Sequence, residues 1–115
     1  MRESTLWLIF IVCAIILIIT ASLHLMTFSS ITGTGYNLAL IYSSVVERST
    51  NIFYTTLYIV FLGAALFHGL YGIRRILIEL IMGKTIQRFI SYFVLLMGVI
   101  AFVYGAYVVV ISYMI

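Results

Sequence analysis

Charged residues are rare in this chain, and their positions limit the folds available to it. Six basic and three acidic residues leave three uncharged stretches, 4–46, 49–73 and 89–115. A helix needs about 20 residues to cross the hydrocarbon core of a membrane, and each of these stretches is longer than that. The charge pattern therefore predicts three membrane-spanning segments.

Composition excludes a water-soluble globular fold. The chain is 65% hydrophobic and 8% charged, with mean hydropathy +1.29, whereas soluble domains are about 45–50% apolar and about 25% charged. We expect 115 residues to be too few for a membrane domain and a soluble catalytic domain together. Any chemistry is therefore expected within the bilayer or on partner chains.

The spans are predicted to be α-helices, because only helices and closed barrels satisfy their backbone hydrogen bonds in lipid. The apolar runs are continuous rather than alternating, which favours helices. The sequence thus predicts an all-α integral membrane protein, a single three-helix domain with spans near 6–28, 51–77 and 89–113. Between the first two spans we expect a connecting loop whose apolar middle, 38–46, lies along the membrane interface.

Basic residues predict the orientation of the chain in the membrane. Four of them flank the turn between the second and third spans: Arg74, Arg75, Lys84 and Arg88. The first loop carries only Glu47 and Arg48, whose charges cancel. The positive-inside rule then places the second loop and the N-terminus in the cytoplasm and the C-terminus outside. This topology accounts for the net charge of +3, and no nucleic-acid partner is predicted.

His24 and His68 are the only histidines, and both lie inside predicted spans. Ionisable side chains are costly there and usually have a functional partner. Neutral imidazole is a common axial ligand of haem iron. A histidine that hydrogen-bonds across a helix interface is the structural alternative, and position alone leaves both interpretations open.

The residues around His68 are compatible with both interpretations. Ala64, His68 and Gly72 form one row on the helix surface. Small residues beside an imidazole let a flat macrocycle approach the backbone, but they also suit ordinary helix packing. Arg75 and Glu79 return to within about 20° of the same face. Arg75 is therefore a candidate partner for a haem propionate, with a snorkelling interface anchor as the alternative.

The predicted depths of the two histidines differ. At a rise of 1.5 Å per residue, His24 lies roughly 9 Å and His68 roughly 25 Å below the outer edge of the membrane. A gap of about 15 Å is too large for both side chains to bind one iron. If both are ligands, they serve two haems, and each iron needs its second histidine from another polypeptide. This arrangement predicts an obligatory membrane partner.

The run 65–79 resembles the second helix of the membrane anchors of succinate dehydrogenase and fumarate reductase. That family carries a histidine, a glycine four residues later, often Ile-Arg, and an acidic residue eleven after the histidine. These residues are present here as His68, Gly72, Ile73, Arg74 and Glu79. The third span, through Val-Tyr-Gly-Ala-Tyr-Val-Val-Val at 103–110, is similar to the small anchor subunit of that family. The resemblance covers roughly 61–113.

The resemblance implies a haem b-binding anchor in the plasma or inner membrane, a non-catalytic subunit of a succinate:quinone oxidoreductase with no active site of its own. Its implied partners are a second, larger membrane anchor, an iron–sulfur subunit and a flavoprotein subunit, with lipid around the spans. Electrons from succinate would pass through iron–sulfur clusters to quinone. His68 matches the family's haem ligand in the second helix. His24 lies at the depth where two-haem members have a ligand in the first helix.

The chain also departs from the family pattern. Leu80 follows Glu79, whereas members with a known type of quinone site carry a tyrosine there. Tyr71 and Glu79 remain as candidate quinone contacts, with an interfacial aromatic as the alternative for Tyr71. The longer polar N-terminus and first-helix arginine that are usual in the larger anchor are missing, which favours the small anchor.

Two further hypotheses have no haem. The first is a structural three-helix subunit of another respiratory complex, in which His24 and His68 hydrogen-bond across helices. A transport subunit is the weaker one, since ionisable groups are few and the first two spans contain no half-helix break. Small residues also recur every seven positions in the third span, which predicts a close helix crossing there. They are Ser91, Gly98, Gly105 and Ser112.

Overall fold

The computed structural model describes residues 2–29 and 35–114. All of its regular elements are α-helices: α1 (Glu3–Met26), α2 (Tyr36–Ala39), α3 (Tyr42–Ser49), α4 (Ile52–Leu80) and α5 (Lys84–Met114). The long helices α1, α4 and α5 are apolar enough to cross a membrane. The prediction of an all-α fold with three spans is confirmed.

Backbone N–H and C=O groups at the ends of α4 form hydrogen bonds with side chains that are close in sequence. At its start, the side chain of Asn51 accepts a hydrogen bond from the backbone N–H of Phe53 at 2.8 Å. At its end, the Gln87 amide donates to the carbonyls of Ile78 and Ile81, each at 3.2 Å. Gly83, with φ of 119°, allows the tight turn into α5. These contacts fix the α4–α5 hairpin.

Helix α4 lies in the middle of the fold. It packs against α1 on one side and α5 on the other, and α1 and α5 do not pack on each other within the described ranges. The fold measures 52 × 29 × 22 Å, so the three helices form a flattened layer. The start of α1 lies at the same end as the α4–α5 turn, since Glu3 contacts Arg74. This relative placement matches the topology predicted from the charges.

Small residues bring α4 and α5 close together. A Cβ atom at Gly98 would lie 2.9 Å from Cδ1 of Leu70, and one at Gly105 would lie 2.5 Å from Cδ2 of Leu62. Ser91 accepts a hydrogen bond from Arg74 at 2.9 Å. The predicted close crossing is confirmed at the two glycines, whereas Ser91 meets the long side chain of Arg74 and the hydroxyl of Ser112 bonds a carbonyl of its own helix.

The segment predicted to be a loop contains the short helices α2 and α3, and its residues 30–34 lie outside the described residues. Helix α3 packs against α4 and α5. Arg48 donates to the carbonyl of Ala39 at 2.7 Å, and its guanidinium lies 6.0 Å from the centroid of the Phe28 ring. Arg48 therefore ties the connecting segment together and to the end of α1.

Little of the chain is buried within itself. In the described part, six residues with buried side chains lie on α1, α2 and α4, and α5 has no buried residue. They are Thr20, Ala39, Thr55, Leu57, Ala64 and Tyr71. The outer faces of the helices are dominated by exposed aliphatic and aromatic side chains. Such a surface suits contact with lipid tails or with other transmembrane helices.

Candidate functional site

His68 projects from α4 towards α1. Its Nδ1 lies 3.2 Å from the backbone carbonyl oxygen of Phe10. A carbonyl oxygen can only accept, so Nδ1 carries the proton and donates. The imidazole also stacks on the Phe10 ring, with centroids 4.2 Å apart and an angle of 5° between the planes. In a neutral ring with the proton on Nδ1, the other nitrogen, Nε2, carries the lone pair.

The Nε2 atom of His68 is available to a ligand. It has no hydrogen-bond partner among the described residues. It is not fully buried either, because no fully buried side-chain nitrogen or oxygen among the described residues lacks a hydrogen-bond partner. Metal-ligating histidines commonly donate one ring N–H to a carbonyl and bind the metal through the other nitrogen. His68 thus fits the donor geometry of a haem axial ligand.

In the row of small residues around His68, Gly72 lies against α1 and Ala64 is buried. A Cβ atom at Gly72 would lie 3.5 Å from the Phe10 ring. The sequence leaves this row open either to a macrocycle or to helix packing. In the isolated chain it serves helix packing.

A polar cluster lies beyond His68, where α1 begins. Glu3 accepts hydrogen bonds from the Tyr71 hydroxyl at 3.0 Å and from Arg74 at 2.9 Å. Tyr71 is buried within the chain. Arg74 also donates to Ser91 on α5 at 2.9 Å. One guanidinium therefore links all three long helices, a role that the spacing of residues along α4 does not predict.

Arg75 and Glu79 lie at the exposed edge of this cluster. Arg75 is 3.5 Å from Glu79 and 3.9 Å from Glu3, and its side chain is 46% exposed. The structure thus brings together Arg75 and Glu79, as their spacing predicts, and adds Glu3. Sequence reasoning missed Glu3, although it is the single acidic residue of α1 and so the natural counter-ion for a basic residue on a neighbouring helix.

His24 lies at the opposite end of the same α1–α4 interface. Its ring contacts three aromatic rings at centroid distances of 5.4, 5.7 and 5.9 Å, those of Phe28, Tyr58 and Phe61. Neither of its nitrogens has a hydrogen-bond partner among the described residues, and neither is fully buried. From Phe10, beside His68, to His24 is about 21 Å along α1 at 1.5 Å per residue. This chain therefore presents its two histidines at separate places.

An apolar groove runs between α4 and α5, away from both histidines. It encloses about 500 Å³ and has three polar residues at one end, Tyr71, Arg74 and Ser91. The glycines Gly63 and Gly98 form part of its wall. The groove is therefore a site for apolar groups, either lipid chains or side chains of another helix.

Comparison with known families identifies the chain. The model of the succinate dehydrogenase/fumarate reductase transmembrane subunit matches residues 2–106. The chain belongs to this family. Comparisons with curated proteins and with solved structures find no match. The family match extends through α1, α4 and most of α5, so it includes both histidines and the Glu3 cluster. This succinate dehydrogenase/fumarate reductase transmembrane subunit is an integral membrane protein, and the predicted resemblance is confirmed at the level of the family.

Proposed function

We propose that this transmembrane subunit binds haem b in a succinate dehydrogenase complex and that His68 is an axial ligand of the iron. The observation that supports this proposal is the hydrogen bond from Nδ1 of His68 to the Phe10 carbonyl, which leaves Nε2 unprotonated and directed away from that carbonyl. Haem b with two axial histidines supplies a one-electron carrier between iron–sulfur clusters and quinone. The chain's part is to position, bury and tune that carrier.

Arg75 is the proposed partner of a haem propionate. Its side chain is half-exposed, and its distance of 3.9 Å to Glu3 is long for an ion pair. Pairs of this kind in contact with water are weak, so a propionate can replace Glu3 at little cost. Gly72 has no side chain and so keeps the backbone beside His68 uncrowded. The only group near the position of its missing Cβ atom is the edge of the Phe10 ring.

A second histidine ligand for the same iron would come from another chain. His24 lies about 21 Å along α1 from Phe10, the residue beside His68. The two histidines are therefore too far apart to bind one iron. We therefore assign His24 to a second haem b, and each haem is shared with the larger membrane anchor of the complex. On this assignment the present chain is the small anchor, and both haems lie at interfaces between the two anchors.

The soluble subunits are proposed to dock at the end that holds the α4–α5 turn, which faces the cytoplasm by the charge rule. An iron–sulfur subunit and a flavoprotein subunit would bind there, beside Lys84 and Arg88. Quinone, the electron acceptor, is proposed to bind at the same end. Of its two candidate contacts, Glu79 has a side chain that is 69% exposed, whereas the Tyr71 hydroxyl is engaged by Glu3.

A reduced-minus-oxidised visible spectrum of the purified complex tests the haem assignment. The wild-type complex is expected to show a b-type band, and His68→Ala is expected to remove the band from the haem that His68 binds. His68→Gln is a control for loss of side-chain volume. An unchanged band in the His68→Ala complex would reject His68 as a ligand.

A haem-free structural anchor is the second candidate. It is favoured by one observation, the packing of His68 and Gly72 against Phe10 of α1. In that case His68 holds two helices together through the Phe10 carbonyl. The wild-type complex would then have no b-type band, and His68→Ala would lower the thermal stability of the complex without a spectral change.

A further inference from the structure

We propose that Phe10 is a positioning residue for His68, fixing both the tautomer and the ring plane of the haem ligand. This inference rests on the proposed function, because it concerns the nitrogen that His68 offers to iron. Phe10 contacts the imidazole in two independent ways: its backbone carbonyl lies 3.2 Å from Nδ1, and its ring is stacked on the imidazole at 4.2 Å.

The carbonyl of Phe10 selects the tautomer. A neutral imidazole has one protonated nitrogen, and the hydrogen bond made by that nitrogen decides which atom is left to bind a metal. The Phe10 carbonyl holds the proton on Nδ1, so Nε2 is the donor atom. A hydrogen bond from the far side of the ring also makes the ligand more basic, which favours the oxidised iron and lowers its potential.

The ring of Phe10 fixes the plane of the imidazole. An angle of 5° between the two planes opposes rotation of His68 about its Cβ–Cγ bond, because rotation would push the imidazole edge into the phenyl face. The carbonyl directs the ring from one edge, and the phenyl ring supports one face. The Nε2 lone pair consequently points in a single direction.

Phe10 is itself held in place. Its ring lies 5.4 Å from the Tyr71 ring, centroid to centroid, and against the backbone at Gly72. Tyr71 is in turn held by Glu3 at 3.0 Å, on the same helix as Phe10. A ligand is held in a defined orientation when the residues that support it have side chains locked by packing, and these contacts lock the Phe10 ring.

The first test is the tautomer of His68 in the full-length chain without haem. The His24→Ala variant, reconstituted in phospholipid nanodiscs, contains one histidine, so its ¹⁵N signals belong to His68. We expect a protonated Nδ1 and an unprotonated Nε2. A signal with the proton on Nε2 would overturn the inference. This measurement involves no cofactor and does not require a Phe10 variant to fold.

The second test compares two identical substitutions in the assembled complex. Phe10→Leu keeps the backbone carbonyl but removes the stacked ring, whereas Phe93→Leu makes the same change on the outer face of α5, where the side chain is 54% exposed. We expect Phe10→Leu to shift the low-spin electron paramagnetic resonance signal of the haem and to weaken haem retention about tenfold. Phe93→Leu should change neither.

The outcomes separate this inference from the proposed function. If His68→Ala leaves the haem in place, the ligand assignment and the inference both fail. If His68→Ala removes the haem but Phe10→Leu leaves its resonance signal unchanged, His68 remains the ligand and Phe10 does not position it. Equal shifts in Phe10→Leu and Phe93→Leu would also reject a specific role for Phe10.

Discussion

His68 and His24 lie at opposite ends of the α1–α4 interface, and they are held there in different ways. His68 donates a hydrogen bond to a backbone carbonyl and has one face covered by a parallel ring. His24 meets the edges of aromatic rings and has no hydrogen bond to the described residues. Both are partly buried. The comparison shows that burial between two helices does not by itself fix a histidine's tautomer or direction.

The surroundings of the two ends differ as well. The end near His68 is closed by Glu3, Tyr71 and Arg74, which connect α1, α4 and α5. The end near His24 is closed by Arg48 from the connecting segment, through a carbonyl and an aromatic ring. Side-chain ion pairs thus hold the first end, whereas at the second end a cationic side chain contacts only neutral groups. Four predictions test how far this contrast extends.

The largest expected effect is on the haem content at the end near His24. On the two-haem assignment, His24→Ala should halve the haem content of the purified complex and leave the haem bound by His68, measured as haem per flavin by pyridine haemochrome. The aromatic variant Phe61→Leu, beside His24, is the control for packing changes at that end. A wild-type content of one haem, unaffected by His24→Ala, would contradict the assignment.

Arg74→Leu should cause the largest loss of stability among variants at the end near His68. The Arg74 side chain is 19% exposed and bonds both Glu3 and Ser91. Its removal takes the closest hydrogen-bond partner from the Glu3 carboxylate and the link between α4 and Ser91, at a cost of about 2 kcal/mol because Glu3 is 53% exposed. Arg75→Leu is the matched control, with an expected cost of at most about 1 kcal/mol because Arg75 is half-exposed. Chemical unfolding in detergent measures both, and equal losses would contradict a special role for Arg74.

Tyr71→Phe should have an intermediate effect at the same end. It removes a hydrogen bond from a buried hydroxyl to a carboxylate and retains the ring that contacts Phe10. Hydrogen bonds to charged groups contribute about 1.5–3 kcal/mol, and we expect the lower value because Glu3 keeps Arg74. The measurement is the unfolding midpoint compared with Tyr58→Phe at the other end. A larger loss for Tyr58→Phe would reverse the proposed order of the two ends.

Arg48→Gln should have the smallest effect, about 1 kcal/mol. The arginine donates to one carbonyl and lies at 6.0 Å from the Phe28 ring, and interactions of this kind contribute about 0.5–1.5 kcal/mol each. Protease susceptibility of the segment between α1 and α4 measures local opening there. We expect faster cleavage in Arg48→Gln than in Glu47→Gln, the neighbouring control, and equal rates would show that Arg48 does not hold the segment.

Much of the fold could be predicted from the sequence. The uncharged stretches predicted the three spans, and the observed helices begin and end within a few residues of the predicted bounds. The seven-residue spacing of small residues predicted the face of α5 that meets α4, because helix geometry fixes which residues share a face. Gly98 and Gly105 confirm it. The two short helices within the connecting segment were not predicted, since α3 packs on α4 and α5 and α2 packs on α3.

The candidate site was only partly predictable. His68, Arg75 and Glu79 follow from spacing along one helix. Phe10 and Glu3 do not, because their roles come from α1, more than fifty residues away in the chain. Nothing in an apolar helix distinguishes one phenylalanine from another until its neighbour is known. The role of Arg74 as a link between three helices was missed for the same reason, because its partners lie on two other helices.

The sequence by itself determined that this protein is a bundle of three long helices in a membrane with two histidines inside it. That outcome follows from charge positions and from the need to satisfy every backbone hydrogen bond in lipid. The tertiary structure decided which face of α4 meets α1, and hence that His68 donates to Phe10 and that Glu3 meets Arg74. Lipid tails are as apolar as leucine, so hydrophobicity cannot choose between helix faces. Close packing and a few polar contacts between distant residues make that choice.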